Sequence, residues 1–396
     1  MALSRFNSRV TAPPRIRAYH PRMRNALLTM FLLAATTAPA QLTMPPDGGN
    51  QRASVTQYLG LVKVTIDYNS PKVHNPHTGE DRHGKIWGKL VPYGLVDLGF
   101  GTCKECPWRA GANENTVFTV SNDVKIEGKP LAAGSYGLHM IPGENEWTVV
   151  FSKNNQSWGS FFYDPAEDAL RVTVKPAKSD YHEYLTYEFP ERQIDKATAA
   201  LKWEDLQVPF AISVDNINDL YLAQIRNELR GAKGFEWQNF ATAARFAMEN
   251  KDAKEGLAWA KVAASPRFPG QVNFTTLSTL ADLQSANGLT EEAKKTRESA
   301  LNHPTATAVD LHQYARQLLA QGKKEDAMAV WQLNAKRHPN EWPVNVGLAR
   351  GNSALGHYDE ALKYAKLALA EAPDEMNRNA LAEGIRKLES GKDMNQ

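Results

Sequence analysis

The sequence predicts two domains of different class: an all-β sandwich or barrel-like domain, followed by an all-α domain of tetratricopeptide-type helical repeats. Three observations lead there. Short alternating or β-branched runs, broken by Gly, Pro and Asn, fill residues 54–214, as antiparallel strands do. Past Asp215 the texture changes to Ala, Leu, Glu and Lys. In that second half, small residues recur every 34 positions, the period of stacked helix pairs.

The first 40 residues read as a secretory leader. Arg15, Arg17, Arg22 and Arg24 precede the apolar run Ala26–Ala35, and Ala38-Pro39-Ala40 supplies the small-x-small cleavage pattern. Cleavage is expected after Ala40. Met23 would begin a leader of more ordinary length and is the expected start; N-terminal sequencing that found Met1 would overturn this. The run falls short of the ~20 apolar residues that span a bilayer, and no Cys follows it to carry a lipid. A soluble, periplasmic or secreted protein without a membrane span is expected.

Six of the 46 basic residues and none of the 44 acidic ones leave with that leader, so the mature chain carries a net charge of about −4. Such a surface has no general attraction for phosphate backbones, which argues against a nucleic-acid partner. The remaining length exceeds what one core usually holds. The expected layout is a leader at 1–40, a linker at 41–53, a β domain at 54–214, a linker helix at 215–235, and repeats with a C-terminal cap at 236–390.

Strands are expected over Leu61–Tyr68, Thr116–Val120, Trp147–Phe151, Leu170–Val174, Tyr184–Phe189 and Val208–Val214, with turns at Glu127–Pro130, Ala133-Gly134 and Pro142-Gly143. The repeat register comes from Ala281, Ala315 and Ala349, from Ala293, Ala327 and Ala361, and from Pro339 and Pro373. Small residues let paired helices approach, and the Pro closes each unit. Units are expected at 308–340 and 342–374, a weaker one at 274–305, and an irregular one at 237–268 with Gly256 in the Ala place. Residues 375–389 read as the cap. In this register Arg245, Asp282, Arg316 and Arg350, with His312 one turn before Arg316, face the groove. Their guanidiniums would suit an acidic peptide or a carboxylate terminus in a protein partner; alternatively they pair with neighbouring acids or are solvated.

Within the β domain, Pro71, Arg82–Gly88, Leu90–Gly94, Trp108–Glu114, Gly134–Leu138, Pro142, Glu146–Val149 and Trp158-Gly159 occur in an order that resembles the DUF2911 family of domains of unknown function. The resemblance covers about residues 50–214. It implies a β-rich extracytoplasmic domain of bacterial proteins, sometimes followed by tetratricopeptide repeats, with no established activity.

This chain departs from the family pattern at two insertions. Leu95–Pro107 contains Cys103 and Cys106, the only two cysteines, read as a local disulfide in an oxidising compartment; a redox pair is the alternative, although no helix opens there to activate a thiol. Val73–Asp81 places His74 and His77 shortly before His83. These are candidate metal ligands only with further partners, and an ordinary polar loop is the alternative.

The segment Trp108-Arg109-Ala110-Gly111-Ala112-Asn113-Glu114 offers Arg109 for a carboxylate or phosphate, Asn113 to orient a ligand and Glu114 as a base, with His139 available as acid or base. The same residues would equally lock a loop through an Arg–Glu pair. Trp87, Trp147 and Trp158 are a possible sugar platform or simply core. No motif for a bound cofactor appears. The expectation is an exported, non-catalytic binding or scaffold protein acting through its repeats, with an enzyme built on Arg109, Asn113, Glu114 and His139, or a carbohydrate-binding module, as alternatives.

Overall fold

The computed structural model describes residues 49–339 and 341–396; the leader and most of the linker lie outside the described residues. The layout follows the expected order of classes, antiparallel sheets and then helices.

The strands are β1 (Gln51–Leu59), β2 (Val62–Ser70), β3 (Thr116–Val120), β4 (Val124–Ile126), β5 (Lys129–Leu131), β6 (Gly134–Ile141), β7 (Trp147–Ser152), β8 (Asp168–Val174), β9 (Ala177–Arg192) and β10 (Lys196–Ser213). They form a six-stranded sheet, β1-β2-β3-β6-β7-β8, and a four-stranded sheet, β5-β4-β10-β9. Alternation does the sorting: in β2, Val62, Val64 and Ile66 are buried while Lys63 is exposed between them. The inner faces share one core. Phe118 and Phe151 of the larger sheet meet Phe210 of the smaller at ring separations of 6.3 and 6.0 Å, which makes the domain a sandwich.

Two stretches differ from the expected strands. β1 begins at Gln51, inside the segment read as linker, because a mostly exposed edge strand needs few apolar residues. The last hairpin is far longer than the apolar runs suggested. β9 and β10 stay paired although the register shifts near Ala200, Glu204 and Leu206, and charged residues such as Lys202 and Asp205 sit within the strand.

Helix α1 (Ile217–Glu228) joins the halves. Its Ile217 lies so close to Gly60 that a Cβ there would come within 2.5 Å of it, and Tyr221 meets Phe246 of the next helix at 6.2 Å. Four helix pairs follow: α2 (Trp237–Glu249) with α3 (Ala253–Ala263), α4 (Phe274–Ala286) with α5 (Thr290–Asn302), α6 (Ala308–Ala320) with α7 (Lys324–Arg337), and α8 (Val344–Ala354) with α9 (Tyr358–Glu371). Helix α10 (Glu375–Glu389) covers the last pair.

The recurring small residues are the packing points. Ala281, Ala315 and Ala349 are exposed by no more than 1%, and Ala327 and Ala361 are fully buried. Gly288, Gly322 and Gly356, also 34 residues apart, end the first helix of each of three pairs with φ of 76°, 78° and 82°, a conformation that glycine adopts without a Cβ penalty. Asn273 and Thr307 cap α4 and α6 through capping boxes. No helix among the described residues is long and apolar enough to cross a membrane.

Candidate functional site

Trp108 bridges to Met140 of β6 through reciprocal backbone hydrogen bonds of 2.8 Å, which fixes the start of the Trp108–Glu114 segment against the sheet. Gly111 then packs where a Cβ would meet the Thr116 hydroxyl at 2.7 Å. Ala110 and Asn113 take φ of 51° and 57°. The Ala110 carbonyl accepts from both the Thr116 and the Tyr187 hydroxyls at 2.9 Å.

From this frame Glu114 turns away from Arg109, whose charge acts on His139 instead. Arg109 turns toward Gly159, where its guanidinium lies over the rings of Trp158 and Phe161 at 5.1 and 5.3 Å. It donates to the Asn113 carbonyl at 2.6 Å. Glu114 is exposed, and its carboxylate accepts from Asn69 at 2.9 Å. Arg109 and Glu114 therefore neither pair with each other nor share an opening.

His139 lies on the outer face of the larger sheet, 2% exposed, with Nδ1 3.0 Å from the Ser160 hydroxyl. Burial, reinforced by the charge of Arg109, pushes its pKa down to about 4. The sequence reading missed Ser160, 21 residues away; only the fold joins them. Both are shut from solvent by two loops, residues 95–107 and 153–167, held together where the Cys103 amide donates to the Phe161 carbonyl at 3.0 Å. Cys103 and Cys106 are disulfide-bonded and pack with Val150 and Tyr163.

Nor do the aromatic candidates form a platform. Trp147 is 1% exposed and meets Trp87 edge-on at 5.2 Å, inside a cluster that includes Trp108 and Trp203. Trp158 stands apart, stacked on Phe161 at 6.0 Å. The sugar-stacking reading fails because the sandwich interior claims two of its three rings.

Around the His-containing insertion two imidazoles take separate carboxylate partners. His74 bonds Glu183 at 2.9 Å and His83 bonds Asp205 at 2.8 Å, the latter bond raising the His83 pKa. His77 is exposed and lines a separate cleft. Among the described residues no group of three or more His, Cys, Asp or Glu is placed to hold a metal ion.

The repeat wall is also more divided than its spacing suggested. Arg245 and Arg316 are exposed. Asp282 is paired with Arg297, which lies over Tyr314 at 4.8 Å. His312 is 7% exposed and its Nδ1 finds no partner among the described residues; burial, with the charges of Arg350 and Arg316, pushes its pKa down to about 4. Arg350 is occupied by the chain's own end, donating to Asn395 Oδ1 at 3.1 Å while Asn395 Nδ2 donates to the Arg350 carbonyl at 3.0 Å. A row of three free guanidiniums is thus absent: the solenoid's last turn folds back on one of them.

Comparison with known proteins places the two halves separately. Among solved structures, a tetratricopeptide repeat protein from Parabacteroides merdae is 16% identical, covering 43% of this chain and 69% of its own, with a TM-score of 0.30. A putative kinesin light chain with nearly identical TPR-like repeats from Podosopora anserina is 19% identical, covering 39% and 85%, with a TM-score of 0.29. At those scores the repeat assignment rests on the helix pairs and their 34-residue recurrence. No curated protein matches the chain. Residues 50–212 match the family model described as a protein of unknown function, DUF2911. In this chain the region that carries that match is followed by tetratricopeptide-type helical repeats.

Proposed function

We propose that this chain is an exported, non-catalytic binding or scaffold protein whose repeat domain holds a protein or peptide partner. The observation that carries the reading is the side-by-side packing of first helices, α2 with α4 and α6 with α8, which builds two helix faces, one bearing the exposed Arg245 and the other the exposed Arg316. Faces of this kind are the usual contact surface of helical solenoids. A second contact face on the β domain agrees with it: Phe100, Trp158 and Phe162 are 64%, 59% and 54% exposed, and Phe100 meets the Phe162 ring at 5.9 Å. Contiguous apolar surface on a water-facing domain marks interaction sites. The burial of His139 and the outward turn of Glu114 toward Asn69 support a non-catalytic role.

Export rests on the leader at 1–40. Cell fractionation tests it: the chain is expected outside the cytoplasm and shortened by those residues, and a full-length cytoplasmic protein would overturn it. Crosslinking capture tests the partner role. Arg245→Glu with Arg316→Glu is expected to deplete the captured proteins, and an unchanged set of partners would remove the repeat wall as the binding element.

A further inference from the structure

The β domain contains a cleft of about 550 Å³, within the size range that accommodates a small organic ligand. It opens where the inserted loop after β2, the Trp108–Glu114 segment and the middle of β10 converge. Two indoles line it, Trp108 and Trp203, stacked at 6.4 Å with planes 14° apart. Arg82 and Asn113 also line it, and among its described lining residues there is no Asp or Glu.

The polar groups of the cleft are donors in excess. Arg82 gives Nε to the Val73 carbonyl at 2.9 Å and Nη2 to the Lys72 carbonyl at 2.6 Å, which braces the loop and leaves Nη1 unspent. No carboxylate among the described residues pairs with it. Asn113 accepts from Asn50 Nδ2 at 3.2 Å through its carboxamide oxygen, so its own NH2 remains available. The buried indole N–H of Trp203 has no acceptor among the described residues. An uncompensated guanidinium beside unsatisfied donors favours an anion.

Backbone strain points to the same place. Ala110, Asn113 and Glu204 hold φ of 51°, 57° and 57°, three non-glycine residues in the left-handed region, on or beside the walls. Strained conformations persist where surrounding structure over-determines them, and they cluster at ligand clamps. Glu204 explains how one is held: its buried carboxylate accepts from the Gly84 amide, tying β10 to the loop that carries Arg82.

We propose that this cleft binds a small organic anion with a flat aromatic or apolar body, the body against Trp108, which is backed by the buried Trp203, and the anionic group toward Arg82 and Asn113. The site is separate from the repeat wall, so it stands or falls independently of the partner role.

The test is isothermal titration calorimetry of the purified full chain with 2-naphthoate and with its neutral counterpart 2-naphthamide. The acid is expected to bind about tenfold tighter than the amide, the margin of a charge-assisted hydrogen bond. Arg82→Gln and Asn113→Gly are each expected to weaken 2-naphthoate about three- to tenfold. The second variant guards against a folding artefact, since glycine adopts the Asn113 backbone conformation freely and thermal stability should hold. Equal affinity for acid and amide, binding by Asn113→Gly at the parent's strength, or no binding of either compound at millimolar concentration would each overturn the proposal.

Discussion

The Asp393 carboxylate accepts a 2.6 Å hydrogen bond from the hydroxyl of Ser353, a residue 1% exposed on helix α8. The same hydroxyl accepts from the Met394 amide at 2.9 Å, and the Met394 side chain is buried against the last pair and the cap. Residues 391–396 therefore behave as part of the solenoid's end. Ser353→Ala removes both bonds and is expected to cost about 1–2 kcal/mol, read as a lower urea midpoint with an unchanged slope. A midpoint identical to the parent's would mean that the tail is not docked in solution.

Acid sensitivity should come from two histidines. His139 and His312 both have pKa values pushed down to about 4 from 6.5, chiefly by burial. A depressed value means that the folded state holds the neutral ring while the unfolded chain takes up a proton. The stability each contributes is complete above pH 6.5 and drains away as pH falls toward 4, at most about 3 kcal/mol apiece. His312→Leu also deletes a buried nitrogen without a partner. Its stability at pH 7 should match or exceed the parent's, and its decline between pH 6.5 and 4 should be shallower. A decline as steep as the parent's would show that His312 is not the titrating group.

How much of this was legible in the sequence depended on the range of the interaction. Ala281, Ala315 and Ala349 betray the repeat because a helix contact demands a small residue at one fixed place in every unit. Strand β2 is equally plain, since its alternation is local. The pairing of His139 with Ser160, the aromatic bed under Arg109 and the Trp108–Trp203 stack join residues on different strands and loops, and nothing near any one of them in the chain encodes its partner. Arg82 and Trp203 were overlooked as site residues for that reason.

Two glycines in α8 should resist replacement, and one in α10, Gly384, should not. A Cβ at Gly347 would come within 2.2 Å of Trp331, and one at Gly351 within 2.5 Å of Met328 and 2.8 Å of Trp331; Trp331 is fully buried. Ala gains up to about 1 kcal/mol in helix propensity, but overpacking a rigid indole costs about 1–3 kcal/mol. Gly347→Ala should therefore destabilise. At Gly384 the nearest atom is the flexible Met394 methyl at 2.8 Å, which can swing aside, so Gly384→Ala should be neutral or slightly stabilising. Thermal melts of the two variants decide it: if Gly347→Ala melts no lower than Gly384→Ala, the packing against Trp331 is looser than described.

The disulfide between Cys103 and Cys106 closes a ring of only a few residues, since the two are three apart in sequence. The chain-entropy argument gives such a short ring about 2 kcal/mol at most. The loop has other anchors. Val96 and Cys106 exchange backbone hydrogen bonds of 3.1 and 2.9 Å, and the Cys103 amide is held by Phe161. Both cysteines are buried with Val150 and Tyr163, so their apolar contacts survive reduction. Cys103→Ala with Cys106→Ala should therefore fold, lose about 1–2 kcal/mol, and keep His139 covered. Exchange of the His139 ring C2 proton, followed by NMR in D2O, reports that cover directly: the rate should stay slow in the double variant. A rate like that of a free imidazole would show that the covalent bond, rather than the packing of the two loops, seals this face of the sheet.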